Sequence, residues 1–338
     1  MNNNFLWKAL PTALKSALEN GENGVVSLYS YTTILRMMAL DNPGFSDILV
    51  NEGVPLTEPP AHDQLLSVNS CWLQQGEVVP TAATLAGLQA MGVQPVEVDF
   101  REGTAAARAI NAATDEGTQG RIPEMKPEEA LAGELREAIA LYLNTLCYTG
   151  AWETAFDPER TSRHDFYTPQ GTVTAEFMVS KEKFNTVNGY EDLCSATVAN
   201  CMQDGETLFC AMMPHGHISM LQLLERLAQS GIASWGSAEF ELHLPKFIAS
   251  GETDMSTLFP ALVPASMPGL GWYGTPVRIM QKASLKIDEN GVEAAAATMA
   301  IFSRTIPRRV VFDRPFLVLI LNAQDDPIFA AVVNNPVG

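Results

Sequence analysis

Lys282-Ala283-Ser284-Leu285-Lys286-Ile287-Asp288-Glu289-Asn290-Gly291-Val292-Glu293-Ala294-Ala295-Ala296-Ala297-Thr298-Met299-Ala300-Ile301-Phe302-Ser303-Arg304-Thr305-Ile306-Pro307 is the stretch that decides the fold. Taken alone, its alanine run favours a helix, alanine being the best helix former. Its surroundings do not. A glycine precedes the run, a single basic residue sits in the apolar and hydroxyl-bearing stretch after it, and Ile306-Pro307 and the pair Arg308-Arg309 follow. In extended form Val292, Ala294, Ala296, Thr298 and Ala300 share one face while Glu293 points oppositely. Small side chains after a glycine hinge join a sheet without steric cost, so this segment is able to live as loop or as strand.

Outward from it, Val277 to Ile287 reads as a strand, and the apolar runs Phe316 to Leu321 and Ile328 to Val333 read as strands buried on both faces, joined by hairpin chemistry at Asn322 to Pro327. Ala138 to Cys147, Leu208 to Met213, Phe240 to Phe247, Gln64 to Leu73 and Gly24 to Leu28 also read as strands. Gln94 to Phe100 joins them, with Val96, Val98 and Phe100 on one face. Leu6 to Leu18, Thr32 to Leu40, Thr81 to Met91 and Thr104 to Gly117 carry helical periodicity, and the Pro- and Gly-rich Pro43 to His62 reads as irregular connection. Helices and strands mix without regular βαβ alternation, repeat or dividing linker, so the class is α+β and residues 1–338 are expected to form a single domain.

The formal charge of -18 opposes binding to nucleic acid or anionic membrane surfaces. No run of about 18 apolar residues appears, and Met1 to Trp7 lacks the basic and apolar regions of a signal peptide. The chain is therefore expected to stay inside the cell or to have lost a leader. The five cysteines, Cys71, Cys147, Cys194, Cys201 and Cys210, show no C-x-x-C pairing and are expected to be buried and structural. Pro214-His215-Gly216-His217 reads as a polar turn; neither metal nor cofactor is assigned. No nucleophile elbow, zinc-protease helix, phosphate loop or dinucleotide fingerprint is present, which argues against an enzyme.

The string K-A-x-L-x-I-D-E-x-G-x-E-A-A-A-A resembles the strand, proximal hinge and reactive-centre loop of the serpin family, and Phe312-Asp313-Arg314-Pro315-Phe316 through Pro336 resembles its C-terminal strands. Leu143 to Glu153 with Phe156-Asp157-Pro158 resembles its central strand and breach, where Trp152 packs at the top of the main sheet. Ile110-Asn111 through Ile122 resembles the helix crossing that sheet, and Leu242 to Phe247 another strand. Ser27 and Ser30 match the paired serines of the shutter, with Asn144 and Gln281 near them and Gln281 where the family usually has His. These matches run in the family's order along nearly the whole chain. They are those of a compact, prokaryote-type member, short between Leu40 and Asp63 where many members carry two further helices.

The resemblance implies three β-sheets with about eight helices, a metastable form with a five-stranded main sheet, and an exposed loop over about 290–309. It also implies a mechanism. A target serine protease attacks the loop, forms its acyl-enzyme and is trapped when the loop inserts as a new central strand. Glu289, Gly291, Val292, Glu293, Ala294, Ala295, Ala296 and Ala297 form the hinge, and its small residues favour inhibition, with Val292 where the family usually has Thr or Ser. Counting back from Phe312 and Ile306-Pro307 puts the scissile bond between Arg304 and Thr305; counting forward from Gly291 puts it after Thr305. The rigid proline favours the first count, and Arg304 would suit a trypsin-like acidic pocket. Thr305 would suit elastase-like or cysteine proteases. A monomer is expected, without heparin activation. The rival functions are a non-inhibitory chaperone, carrier or storage serpin and an unrelated Cys or Ser hydrolase.

Overall fold

The two C-terminal apolar runs are buried at every position, as strands without a polar face must be. They pair antiparallel around a turn in which Asp325 takes φ 60°. There the Asn322 side-chain oxygen accepts from the N–H groups of Gln324 and Asp326, each at 2.9 Å, which lets a non-glycine residue hold the left-handed conformation.

A computed structural model describes residues 4–56, 65–273, 277–290 and 308–338. Its strands are β1 (Gly24–Val26), β2 (Leu65–Gln74), β3 (Val96–Val98), β4 (Ala140–Tyr148), β5 (Ser162–Thr168), β6 (Gly171–Val187) and β7 (Cys194–Cys201). They continue with β8 (Leu208–Pro214), β9 (Trp235–Pro245), β10 (Phe247–Asp254), β11 (Val277–Ile287), β12 (Arg308–Val311), β13 (Phe316–Leu321) and β14 (Pro327–Val333). Two compact units emerge, each from discontinuous segments: Met1–Leu28 with Tyr148–Gly251 and Ser284–Gly338, and Tyr29–Cys147 with Glu252–Ala283.

The first unit holds a nine-stranded sheet in the order β1-β14-β13-β8-β7-β6-β9-β12, with β5 also on β6. The 17-residue β6 pairs with β5, β7 and β9, and so runs two of the implied sheets together as one hydrogen-bonded network. The expected N-terminal helix is three pieces, Phe5–Lys8, Leu10–Ala13 and Lys15–Asn20, packed on the helix Met220–Ser230. Sequence reading passed over that last helix, although Ser219 and Gln222 form a reciprocal capping box at its start. The strands β5, β6 and β7 were also missed. Their burial alternates irregularly between buried, half-buried and exposed, which blurs the two-residue period.

The second sheet has five strands in the order β10-β11-β4-β2-β3, of which β2, β3, most of β4 and the first part of β11 belong to the second unit. Gln74 N donates to Ile139 O at 2.8 Å and Asn144 reaches Asn69, so β2 and β4 are antiparallel. Ala138 and Val277, at the starts of β4 and β11, line one recess of about 410 Å³, and Asn144 meets Gln281 midway along; β4 and β11 therefore run parallel as neighbours. The helix Gly103–Gly117 lays Ala106, Ala107 and Ile110 against Trp72, Leu141, Leu143 and Met280 of the sheet.

Two expectations are corrected here. Pro43–Asn51 is a helix rather than irregular connection, because the Asn42 side chain caps Phe45 N and Pro43, at the first helical position, has a preset φ and needs no partner for its nitrogen. The strand expected over Gln94 to Phe100 is only the edge strand Val96–Val98, so Phe100 lies beyond its end and is buried while Val96 is 41% exposed.

Candidate functional site

The seam between β4 and β11 carries the second unit's most constrained polar side chains. Asn144 and Gln281 are 1% and 2% exposed, with Leu143 beside the one and Met280 beside the other buried as well. Gln281 Nε2 donates to Asn144 Oδ1 at 2.9 Å, and Asn144 Nδ2 donates to Asn69 Oδ1 at 2.9 Å and Ser67 Oγ at 3.2 Å. A row of polar groups thus crosses β11, β4 and β2 with its hydrogen bonds made among themselves, the condition for burying amides at low cost. Asn69 and Ser67 were not singled out from sequence. Their signal is the polar pair two residues apart, on one face of the strand.

The strap after the helix Gly103–Gly117 is tied to the same sheet. Lys282 Nζ donates to the carbonyls of Glu124 and Met125 at 2.8 and 3.1 Å, and Lys126 pairs with Glu134 at 2.7 Å and Glu252 at 3.0 Å. Asn111 closes the loop, donating to Lys126 O and accepting from Met125 N, both at 2.8 Å.

In the first unit the end of β11 is fastened at several points. Trp152 is buried, its ring edge-on to Phe156 and Phe209 at 5.5 and 4.9 Å, and its Nε1 donates to Asp288 O at 2.8 Å. Trp152 N and Phe156 N donate to the carbonyls of Asn290 and Glu289 at 3.3 and 2.9 Å. Glu289 accepts from Thr161 Oγ1 at 2.7 Å and pairs with Lys246 at 3.3 Å, while Lys246 also pairs with Glu176 at 2.6 Å. The Glu176 hydrogen bond, with Glu289 adding, holds the Lys246 ammonium above the usual lysine range.

The structure thus brings Asn144 to Gln281, and Trp152 to the segment of Glu289. Ser27 Oγ donates to Ile328 O at 2.6 Å in the first unit, and Ser30 is buried in the second. Gly291, Val292, Glu293, Ala294, Ala295, Ala296, Ala297, Arg304 and Thr305 lie outside the described residues.

Burial pushes the thiols of Cys71 and Cys194 up to about 12 and Cys147 to about 11, and raises Cys210 and Cys201 as well, so the described cysteines are poor nucleophiles. His215 and His217 stack with ring centroids 5.5 Å apart, and among the described residues no group of three ligand side chains could hold a metal.

Comparison with known proteins gives one consistent result. The family model described as "Serpin (serine protease inhibitor)" matches residues 54–336. The chain is 27% identical over 252 residues to the alpha-1-antitrypsin-like protein GS55-MS of Ictidomys tridecemlineatus, covering 70% of this chain and 60% of that protein. It is 26% identical over 253 residues to the human plasma serine protease inhibitor, covering 70% and 61%. The matched stretch thus spans about three fifths of the length of these curated relatives. Corticosteroid-binding globulin of Sus scrofa aligns over 341 residues at 23% identity, covering 89% of this chain and 82% of that protein. Among solved structures, Serpin48 of the insect Tenebrio molitor superposes with TM-score 0.81 at 20% identity, covering 98% and 97% of the two chains. Native protease nexin-1 crystallised with heparin gives 0.81 at 17% identity, covering 99% and 98%. At these identities the structural likeness speaks for the fold alone.

Proposed function

The chain belongs to the serpin family, and from that premise we propose that residues 1–338 act as one inhibitory serpin domain, trapping a trypsin-like serine protease on a reactive-centre loop over about 290–309. The observation that carries this reading is the seam: β4 and β11 are parallel neighbours joined by the Asn144–Gln281 bond, and the sequence after β11 runs through Gly291, Val292 and Glu293 into the four alanines Ala294 to Ala297. A sheet in this arrangement is one into which a returning strand fits between β4 and β11.

In the proposed cycle the protease serine attacks the carbonyl of Arg304, the bond to the Thr305 nitrogen breaks with that amine taking a proton, and an ester joins Arg304 to the protease. The new end, anchored only at the hinge, then enters the sheet. At about 1 kcal/mol net per hydrogen bond, over roughly a dozen residues bonded on two sides, insertion releases on the order of 10 to 20 kcal/mol, enough to distort an active site.

A non-inhibitory role has one specific support: corticosteroid-binding globulin is among the relatives and aligns over 89% of the chain. The small hinge residues Ala294 to Ala297 favour inhibition over it. Incubation with trypsin and with an elastase, followed by denaturing electrophoresis and mass spectrometry of the released C-terminal peptide, tests the reading. An adduct stable to denaturant and a peptide beginning at Thr305 are expected with trypsin. A peptide beginning at Ile306 moves the bond after Thr305, and clean cleavage without adduct removes the inhibitory assignment.

A further inference from the structure

Strand β12 is four residues long and ends the nine-stranded sheet, pairing parallel to β9 with Arg309 opposite Glu241 and Val311 opposite His243. So short a parallel edge strand has few backbone bonds to hold it. Side chains supply the rest. His243 is 4% exposed, and the Arg309 guanidinium reaches across from β12 to its ring, Nη2 lying 3.2 Å from Nδ1 and Nε 2.9 Å from Nε2. Glu241 Oε1 stands 2.8 Å from Nε2. Arg309 Nε donates to Nε2, so in the neutral ring Nε2 is the acceptor and the ring proton sits on Nδ1.

The remaining neighbours are mostly cationic or neutral. From β5, His164 faces the ring with centroids 5.6 Å apart, its own Nε2 2.9 Å from Ser162 Oγ. From the turn Pro158–Arg160, Arg160 lies 3.9 Å from the second oxygen of Glu241. From β6, Val179 stands opposite His243 and Lys181 opposite Glu241.

We propose that this cluster is a pH-operated clamp on β12: neutral His243 ties Arg309, and with it the strand, to β9, and protonation of Nε2 releases it. Protonation turns the acceptor for Arg309 into a donor. It leaves an imidazolium between Arg309 and His164, with Glu241, already shared with Arg160, as the one carboxylate facing it among the described residues. Burial, with Arg309 beside it, holds the His243 pKa below the usual 6.5. The folded clamp thus binds its proton more weakly than the open one, so its stabilisation is complete above about pH 6.5 and is lost as the pH falls toward the depressed value. The clamp acts on β12 itself and stands whether or not the protein inhibits a protease.

Hydrogen exchange of the full-length protein, read by mass spectrometry and corrected for intrinsic rate, tests it. Peptides covering 308–312 are expected to lose about tenfold in protection, relative to 316–321, between pH 7.5 and one pH unit below the folded pKa. His243→Gln, which bonds without titrating, is expected to abolish that dependence while keeping protection at pH 7.5. In the more exposed Arg309→Gln the pH dependence should shrink while protection at pH 7.5 falls. A wild-type strand equally protected at both pH values overturns the proposal, as does an undiminished pH dependence in His243→Gln.

Discussion

Asn144 is the residue on which the seam turns, since it bonds to Gln281 on one side and to Asn69 and Ser67 on the other. Asn144→Ala removes three hydrogen bonds at a buried position and is expected to destabilise the protein by about 2–3 kcal/mol, seen as a lower denaturant midpoint with unchanged m-value. Glu289→Lys should act at the head of β11, because it sets a second ammonium against Lys246 and strips Thr161 of its acceptor. A loss of about 1–3 kcal/mol is expected by thermal melting, with Glu289→Gln milder because the Thr161 bond survives. The thiols give a third test. Native protein treated with an alkylating reagent near pH 8 should be modified at Cys201 far ahead of the four buried cysteines, with any protease-trapping activity retained. Trp152 and the Asn144–Gln281 pair were legible as residues because they sit inside or beside matched motifs. Lys246, Thr161, Asn69 and the Lys282 strap were not, since their meaning arises only when segments far apart in sequence meet.

At the scale of elements, the proposed mechanism requires the segment after Gly291 to enter the seam, so a charge placed there should stall it. Ala296→Arg is expected to raise the stoichiometry of inhibition at least about tenfold, turning inhibitor into substrate, while the melting temperature of the uncut protein stays within a degree or two; burying an unpaired charge carries a cost of several kcal/mol only in the inserted form. Legibility among the elements followed amphipathic clarity. The continuous apolar strands β13 and β14 and the alternating β11 were placed within a residue, whereas β5 and β6, whose faces mix buried and exposed positions, left no clean period. The helix Pro43–Asn51 was hidden by its own start signal, since Asn42-Pro43-Gly44 reads as a turn until the cap on Phe45 is seen.

For the molecule as a whole, the formal charge of -18 is the property that acts at longest range. Although protease nexin-1 was crystallised with heparin, this protein is expected to pass through a heparin column unretained at about 0.15 M salt, because like charge repels within a Debye length. Retention there would reveal a local basic surface stronger than the net field. The parallel sense of β4 and β11 has a further consequence. A strand doubling back from the end of β11 would lie antiparallel to each neighbour, so one slanted ladder would be exchanged for two perpendicular ones, the more stable kind. Such an exchange runs in one direction like a sprung trap, and a molecule built this way would fire once and be discarded rather than turn over.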